Sequence, residues 1–401
     1  MRLLIATVAL CATMGVAARA PGQQTRLTRA QAVQTALSRG ARVAVAAADT
    51  AVASAQVVAA HVFPDPSFTA SYSKAVPTQH FALEIPLEFP GLRRPRAQSA
   101  QIELEAARVR FHLARATVGL DADTTYTHAI AAREHLALSR RNALDGDSLL
   151  HMVERRRAAG DASDMDVELA RVNAGQQENT AAADSLTWIS ALLDLQATLG
   201  YTSVDLEIAA VDSLVMPPEA SAPAAITLNE DAASLSLTAA ALKALSEHRS
   251  VFSAPTISLG VEHGDPDQSG LLPTLGFGLS LPIFNRHRGE ILVAEAERIK
   301  AQAELALARV EARNQIAHAT RERENALARV ARDRQLIASA DRVASMSLVA
   351  YREGAASLPN VLEAERSARD VRGQYIDHLA AAWIATAELR VLSLTPTSQL
   401  P

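Results

Sequence analysis

Leu275–Glu290, LGFGLSLPIFNRHRGE, decides how this chain is read, together with an earlier stretch of the same design, Phe81–Arg96, FALEIPLEFPGLRRPR. In the later copy Leu275, Phe277, Leu279, Leu281 and Ile283 alternate with Gly276, Gly278 and Ser280; in the earlier one Phe81, Leu83, Ile85 and Leu87 oppose Ala82, Glu84 and Glu88. A two-residue period puts apolar side chains on one face of a strand and polar ones on the other. Each strand ends at a proline, Pro86 or Pro282, where a ladder can stop, and then at a basic cluster. Proline is excluded from helix interiors, and none occurs from Arg96 to Met216 or from Ile283 to Leu358. Both stretches therefore predict a strand feeding a very long helix, with Gly289 opening the later one.

Working outward, the chain divides into two similar units. Phe81-x-Leu83-x-Ile85-Pro86 matches Phe277-x-Leu279-x-Leu281-Pro282, and Gly160-x-x-Ser163-x-x-x-Val167-x-x-Ala170 matches Gly354-x-x-Ser357-x-x-x-Val361-x-x-Ala364. The two tryptophans, Trp188 and Trp383, fall at the same relative place, each before an isoleucine. Coherent offsets at several markers are the mark of an internal repeat. Each unit is expected to run through an amphipathic helix (Thr28–Ala60; Asn229–His248), a strand (Ser67–Ser73; Thr256–His263) and the quoted strand. A long helix (Arg93–Arg157; Gly289–Arg352), a turn at Gly160 or Gly354, and a return helix to Leu199 or Leu394 complete it. About 65 residues at a rise of about 1.5 Å make a rod of about 100 Å. Gly119 and Gly146 are expected to loosen the first rod. The organisation predicted is a signal peptide over 1–20, a first unit over 21–200, a linker over 201–225, a second unit over 226–395 and a tail over 396–401.

Composition agrees with helices packed closely on one another. Of 401 residues, 49% are hydrophobic but only 4% aromatic, the difference being largely alanine, the best helix former. The formal net charge of −5 offers no footprint for nucleic acid. Arg2, the apolar run Leu3–Met14 and small residues to Ala20 read as an export signal. Cys11 is the single cysteine, so the mature chain is expected to hold no disulfide. No later apolar segment is expected to span a bilayer as a helix.

Four strands with one apolar face admit two arrangements: a small sheet packed under helices, or a wall that faces lipid. The helices predicted here run away from the sheet, and with an export signal this favours lipid. No strand edge can stay unpaired in lipid, so four strands need copies of the chain to close a barrel. Two copies give eight strands and three give twelve.

The chain from about Leu27 to Leu394 resembles the TolC family of outer-membrane efflux proteins. The resemblance rests on the twofold repeat, the strand–proline–helix joints, and the motif Tyr351-x-x-Gly354-x-x-Ser357-x-x-Asn360-Val361-Leu362-Glu363-Ala364. Within the family, Leu281-Pro282-Ile283-Phe284-Asn285-Arg286-x-x-Gly289 with Ala294-Glu295-Ala296-Glu297, and Pro90-Gly91-Leu92-Arg93-Arg94-x-Arg96, are similar to the outer-membrane components of cobalt–zinc–cadmium efflux systems. The resemblance implies a mainly α protein carrying a membrane β-barrel: a homotrimer with a twelve-stranded barrel in outer-membrane lipid and an α-helical tunnel across the periplasm. It implies a passive duct for divalent heavy-metal cations, served by a periplasmic adaptor protein and an inner-membrane pump of the resistance-nodulation-division type. A drug-efflux or type I secretion duct is the alternative in the family, and a soluble periplasmic helical scaffold the alternative outside it.

The resemblance also implies site residues. Tyr351 matches a gate tyrosine, and Asn360 and Glu363 match acidic positions that narrow the periplasmic entrance. The basic partner expected two residues after Gly354 is Ala356 here. Asp161 and Asp164 lie at the first tip, where threefold copies would make carboxylate rings that favour cations; capping a helix N-terminus is their other reading. Pro86, Pro282, Arg286 and Gly289 mark the joint between barrel and tunnel, and Glu84 and Glu88 are candidates to line the barrel lumen. Arg155–Arg157 reads as a solvated charge run or an adaptor contact. His128 and His135 could share a helix face, but without a carboxylate or cysteine cluster in sequence beside them no metal site is expected. With no nucleophile elbow, phosphate loop or HExxH motif, neither catalysis nor a cofactor is expected.

Overall fold

The structure is a computed structural model that describes residues 25–88, 90–203, 205–206, 208–250, 255–266, 270–279 and 286–395. The predicted signal peptide 1–20, the tail 396–401 and Pro282 lie outside the described residues. In chain order the elements are β1 (Thr25–Leu27), α1 (Arg29–Arg39), α2 (Ala41–His61), β2 (Ser67–Tyr72), β3 (Gln79–Pro86), α3 (Pro90–Ala158), α4 (Asp164–Thr198), β4 (Ile208–Ala210), α5 (Leu228–Arg249), β5 (Thr256–His263), β6 (Leu272–Gly278), α6 (Arg288–Arg352) and α7 (Leu358–Leu392). The order helix, hairpin, long helix, return helix thus occurs twice.

The predicted helix Thr28–Ala60 is two helices. Gly40 adopts an extended conformation, and a Cβ there would stand 2.5 Å from the carbonyl oxygen of Ala36. Thr28 and Gln31 close the start of α1 with a capping box. The second piece, α2, is long and apolar enough by length and composition to cross a membrane, against the expectation that no later segment would be. It lies along α3, with Ala53 buried against Leu104 and Ala107 and with Val45, Val52 and Val58 exposed.

Helix α3 runs unbroken for 69 residues through Gly119 and Gly146, a rod of about 100 Å. It begins three residues before the predicted start, which moves Pro95 from the first turn of the helix into the second. Proline lacks the N–H that would bond the carbonyl four residues back; that carbonyl, on Gly91, instead accepts from Arg249 Nη1 at 3.1 Å. Along α6 the buried positions Ala294, Ala301, Leu305, Ala308, Ala312, Ala319, Ala326 and Val330 recur at spacings of three, four and seven, the seam of a helix packed along its length.

Strands β2, β3, β5 and β6 form one antiparallel sheet in that order. Register carries the alternation across it: Phe68, Leu83, Leu259 and Leu275 make one apolar row, and Ile85, Ile257 and Phe277 another. Ser67, Glu84, Ser258 and Gly276 form a polar row between them. Among the described residues no helix packs extensively on the sheet, and Phe68, Leu275 and Phe277 stay 67%, 78% and 70% exposed. Glycines crowd the other side: a Cβ on Gly276 or Gly278 would meet the hydroxyl of Ser258 or Thr256 at 2.2 and 2.5 Å. The outer edges of β2 and β6 have no partner strand within the chain among the described residues.

A second sheet was not foreseen. β1 and β4 pair in parallel, tying the predicted linker 201–225 to the N-terminus. They roof a core of α1, α3 and α4 that includes Leu27, Tyr126, Ile130, Leu192, Leu195 and Ile208. Asp123, 3% exposed, ion-pairs there with Arg29 and, at 3.4 Å, with Arg390, while the Arg29 guanidinium stacks 4.0 Å from the Trp383 ring. Three helices, α1, α3 and α7, are joined by these contacts.

Candidate functional site

The candidate site is the pair of helical turns at the end of α3 and α6 remote from the four-stranded sheet. Both turns use a glycine at positive φ, Gly160 (89°) and Gly354 (76°), the left-handed conformation that ends helices at little cost only for glycine. At the first turn, Ser163 caps α4: its Oγ accepts from the Asp166 N–H at 3.1 Å, and Asp166 Oδ2 accepts from the Ser163 N–H at 3.1 Å. Asp164 is ion-paired with Arg157 at 2.5 Å, and Asp161 is exposed, its N–H donating to the Arg156 carbonyl at 2.9 Å. At the second turn Ser357 occupies the same place without a side-chain cap bond, and Pro359 follows in the first turn of α7, where its missing N–H costs little.

Between the turns lies an apolar cluster from both helical hairpins: Leu149, Val153, Val167, Ala170, Tyr351, Leu358 and Val361. Tyr351 sits in the last turn of α6, 4% exposed. Arg156, from the other hairpin, holds its guanidinium 4.5 Å from the Tyr351 ring centroid and donates through Nη1 to the Tyr351 carbonyl oxygen. The sequence motif placed Ala356 where a basic partner was expected; Arg156 supplies the cation from 195 residues away. The Tyr351 hydroxyl is buried and finds no hydrogen-bond partner among the described residues. Burial pushes its pKa up, Arg156 opposing and Asp166 adding to the rise. Of the run Arg155–Arg157, two members are therefore engaged in the tip itself.

Asn360 and Glu363 are exposed on α7. Glu363 forms no ion pair among the described residues and lines a groove of about 800 Å³ between α4 and α7, with Asn173, Arg366 and Arg369. Tyr351 and the first-turn aspartates thus sit at the turns, while Glu363 lies about one helical turn above them.

The joint near the sheet is built from arginines. Pro86 is the last residue of β3 and pairs with Thr256. Glu88 lies beyond that strand, its side chain 7% exposed and ion-paired with Arg96 at 2.6 Å. Arg96 Nε also donates to the Ala60 carbonyl at 3.2 Å, and Arg93 Nη2 to the His61 carbonyl at 2.8 Å. These are unsatisfied carbonyls at the end of α2, so the basic cluster serves as a cap joining strand, rod and α2. Glu84 is exposed on the polar sheet face. Arg286 is exposed just before α6, and Gly289 lies in its first turn. His128 is exposed, whereas His135 Nε2 lies 2.8 Å from Asp377, linking α3 to α7.

The chain thus carries an open-edged four-stranded sheet with an exposed apolar face, mounted on two long helical hairpins. Residues 231–393 match the family described as outer membrane efflux protein. The chain is similar to the cobalt-zinc-cadmium resistance protein CzcC of Cupriavidus metallidurans, at 23% identity over 345 residues, 83% of this chain and 82% of that protein. Its fold is that of VceC, an outer membrane protein of Vibrio cholerae, with a TM-score of 0.74 at 19% identity over 91% of this chain and 96% of that one. It is also that of the CmeC outer membrane channel of Campylobacter jejuni, with a TM-score of 0.77 at 14% identity over 100% and 95%.

Proposed function

We propose that the protein is the outer-membrane duct of a tripartite efflux pump, carrying divalent heavy-metal cations across the periplasm and outer membrane. The observation that carries this is the four-stranded sheet with its apolar face exposed and both edges open. Three copies of four strands close a twelve-stranded barrel whose apolar rows meet lipid and whose glycine- and serine-rich face lines the lumen, with Glu84 in it. The paired long helices of three protomers then form the tunnel, and the tips form its periplasmic entrance. Tyr351 and Arg156 hold that entrance shut, and Glu363, Asn360, Asp161 and Asp164 set its charge. Pro86, Pro282, Arg286 and Gly289 mark where barrel becomes tunnel. Residues 1–20 direct export and are removed.

A duct is passive, so the driving force comes from an inner-membrane pump of the resistance-nodulation-division type, docked through a periplasmic adaptor. The heavy-metal cargo follows from likeness to the cobalt-zinc-cadmium resistance protein. Deleting the gene and measuring growth over a panel of divalent metals and drugs tests it. Sensitivity to cobalt, zinc or cadmium, restored by the wild-type gene, is expected. Drug sensitivity without metal sensitivity would instead make the chain a drug-efflux duct.

A further inference from the structure

We propose that His318, Glu322 and Glu388 form a binding site for a divalent transition-metal ion of the zinc class. His318 and Glu322 stand one turn apart on α6, with Nδ1 and a carboxylate oxygen at 3.2 Å. Glu388 reaches them from α7, and one ligand atom from each of the three lies within 4.8 Å of the other two. Metal–ligand bonds of about 2.0–2.2 Å place tetrahedral ligand atoms about 3.4 Å apart. The first pair already stands near that spacing, and a Glu388 carboxylate oxygen lies within 4.8 Å of both. One imidazole and two carboxylates suit a borderline cation, with water completing the shell.

The surroundings favour a cation. Neither Glu322 nor Glu388 is ion-paired with an arginine or lysine among the described residues; Glu322 has only His318. Glu388 is half-buried at the wall of a cavity of about 720 Å³ that Thr227, Asn229, Asn314 and Gln315 also line. Desolvation first, and then the charge of Glu322, push the Glu388 carboxyl above its ordinary range, with His318 opposing. A divalent ion would relieve both costs. Arg321 and Arg329 line the neighbouring cavity beside His318 and Glu322, and neither spans the two carboxylates. His151 shows why this trio is distinct. There Asp147 faces Nε2 and Glu154 faces Nδ1, opposite ring nitrogens that one ion cannot share.

Equilibrium zinc binding does not depend on transport, so its failure and that of the proposed duct function are distinguishable. The full-length protein, purified in detergent, is titrated with zinc chloride against a chromophoric chelator. Zinc binding that Glu388→Gln and His318→Gln each weaken at least about tenfold, that His151→Gln leaves alone and that excess magnesium does not displace is expected. Glu322 and His318 are exposed, so Glu322→Gln, which leaves the packing intact, serves as a third variant with the same expected loss. Absence of zinc binding by the wild type, identical isotherms for wild type and the three variants, or displacement by magnesium would overturn the proposal.

Discussion

Arg156 and Tyr351 meet across the two helical hairpins, the guanidinium 4.5 Å from the ring and hydrogen-bonded to the tyrosine's own carbonyl oxygen. The contact therefore uses the ring face and the backbone of Tyr351 and leaves its hydroxyl without a partner among the described residues.

Exchanging Arg156 for alanine removes a cation–π contact worth about 0.5–2 kcal/mol together with a charged hydrogen bond. We expect Arg156→Ala to raise the resting single-channel conductance in planar bilayers. Tyr351→Ala, which also empties part of the tip core, should do so more strongly. Tyr351→Phe keeps the ring and the carbonyl and should match the wild type. A Tyr351→Phe channel as leaky as Arg156→Ala would mean that the hydroxyl closes the tip.

Glu363 is exposed in the groove between α4 and α7 without an ion pair. Glu363→Gln is expected to lower the cation-to-anion permeability ratio and to weaken block by multivalent cations. Reversal potentials in asymmetric salt measure the first, and a ratio unchanged from wild type would remove Glu363 from the constriction.

Asp123 holds Arg29 in a nearly dry site and meets the more exposed Arg390 at its edge. Removing one partner of a buried pair costs roughly 3–5 kcal/mol, because the remaining charge stays desolvated. Asp123→Asn should accordingly lower the thermal unfolding midpoint of the extracted protein clearly, and an unchanged midpoint would show that Arg29 is held instead by the Trp383 ring and by Thr127, whose Oγ1 accepts from Arg29 Nη1 at 2.8 Å.

Tyr126 is fully buried, its hydroxyl 2.8 Å from the Leu27 carbonyl and 2.9 Å from Asp212. Burial, chiefly, pushes its pKa up from 10.0 to about 12. The folded state thus holds this proton more tightly than the unfolded one. Its contribution is complete below pH 10 and is lost as pH rises through 12, a change of roughly 2–3 kcal/mol. Unfolding midpoints measured from pH 9 to 12 should fall more steeply for the wild type than for Tyr126→Phe. Parallel curves would show that Tyr126 ionises as freely folded as unfolded.

Much of the fold was legible because its elements are long or strictly periodic. Thr256–His263 appears as expected from alternation alone, and the two rods end within a residue or so of Arg157 and Arg352 as the Gly160 and Gly354 turns require. What was missed is short or distant. β1 and β4 have three residues each, too few to show a period, and they pair across the whole first unit. The break at Gly40 was signalled only by one glycine between two helix-compatible runs. Arg156 was hidden as the middle of a basic run, since the expected partner of Tyr351 was sought beside it in sequence. Glu388 lies on a different helix from His318 and Glu322, so no spacing motif joins them.

The central claim is that the open sheet closes with copies of itself in the outer membrane. Native mass spectrometry of protein extracted from the outer-membrane fraction tests it most directly. A species of three chains, obtained only with detergent, is the result predicted. A single chain recovered from the soluble periplasmic fraction would contradict it.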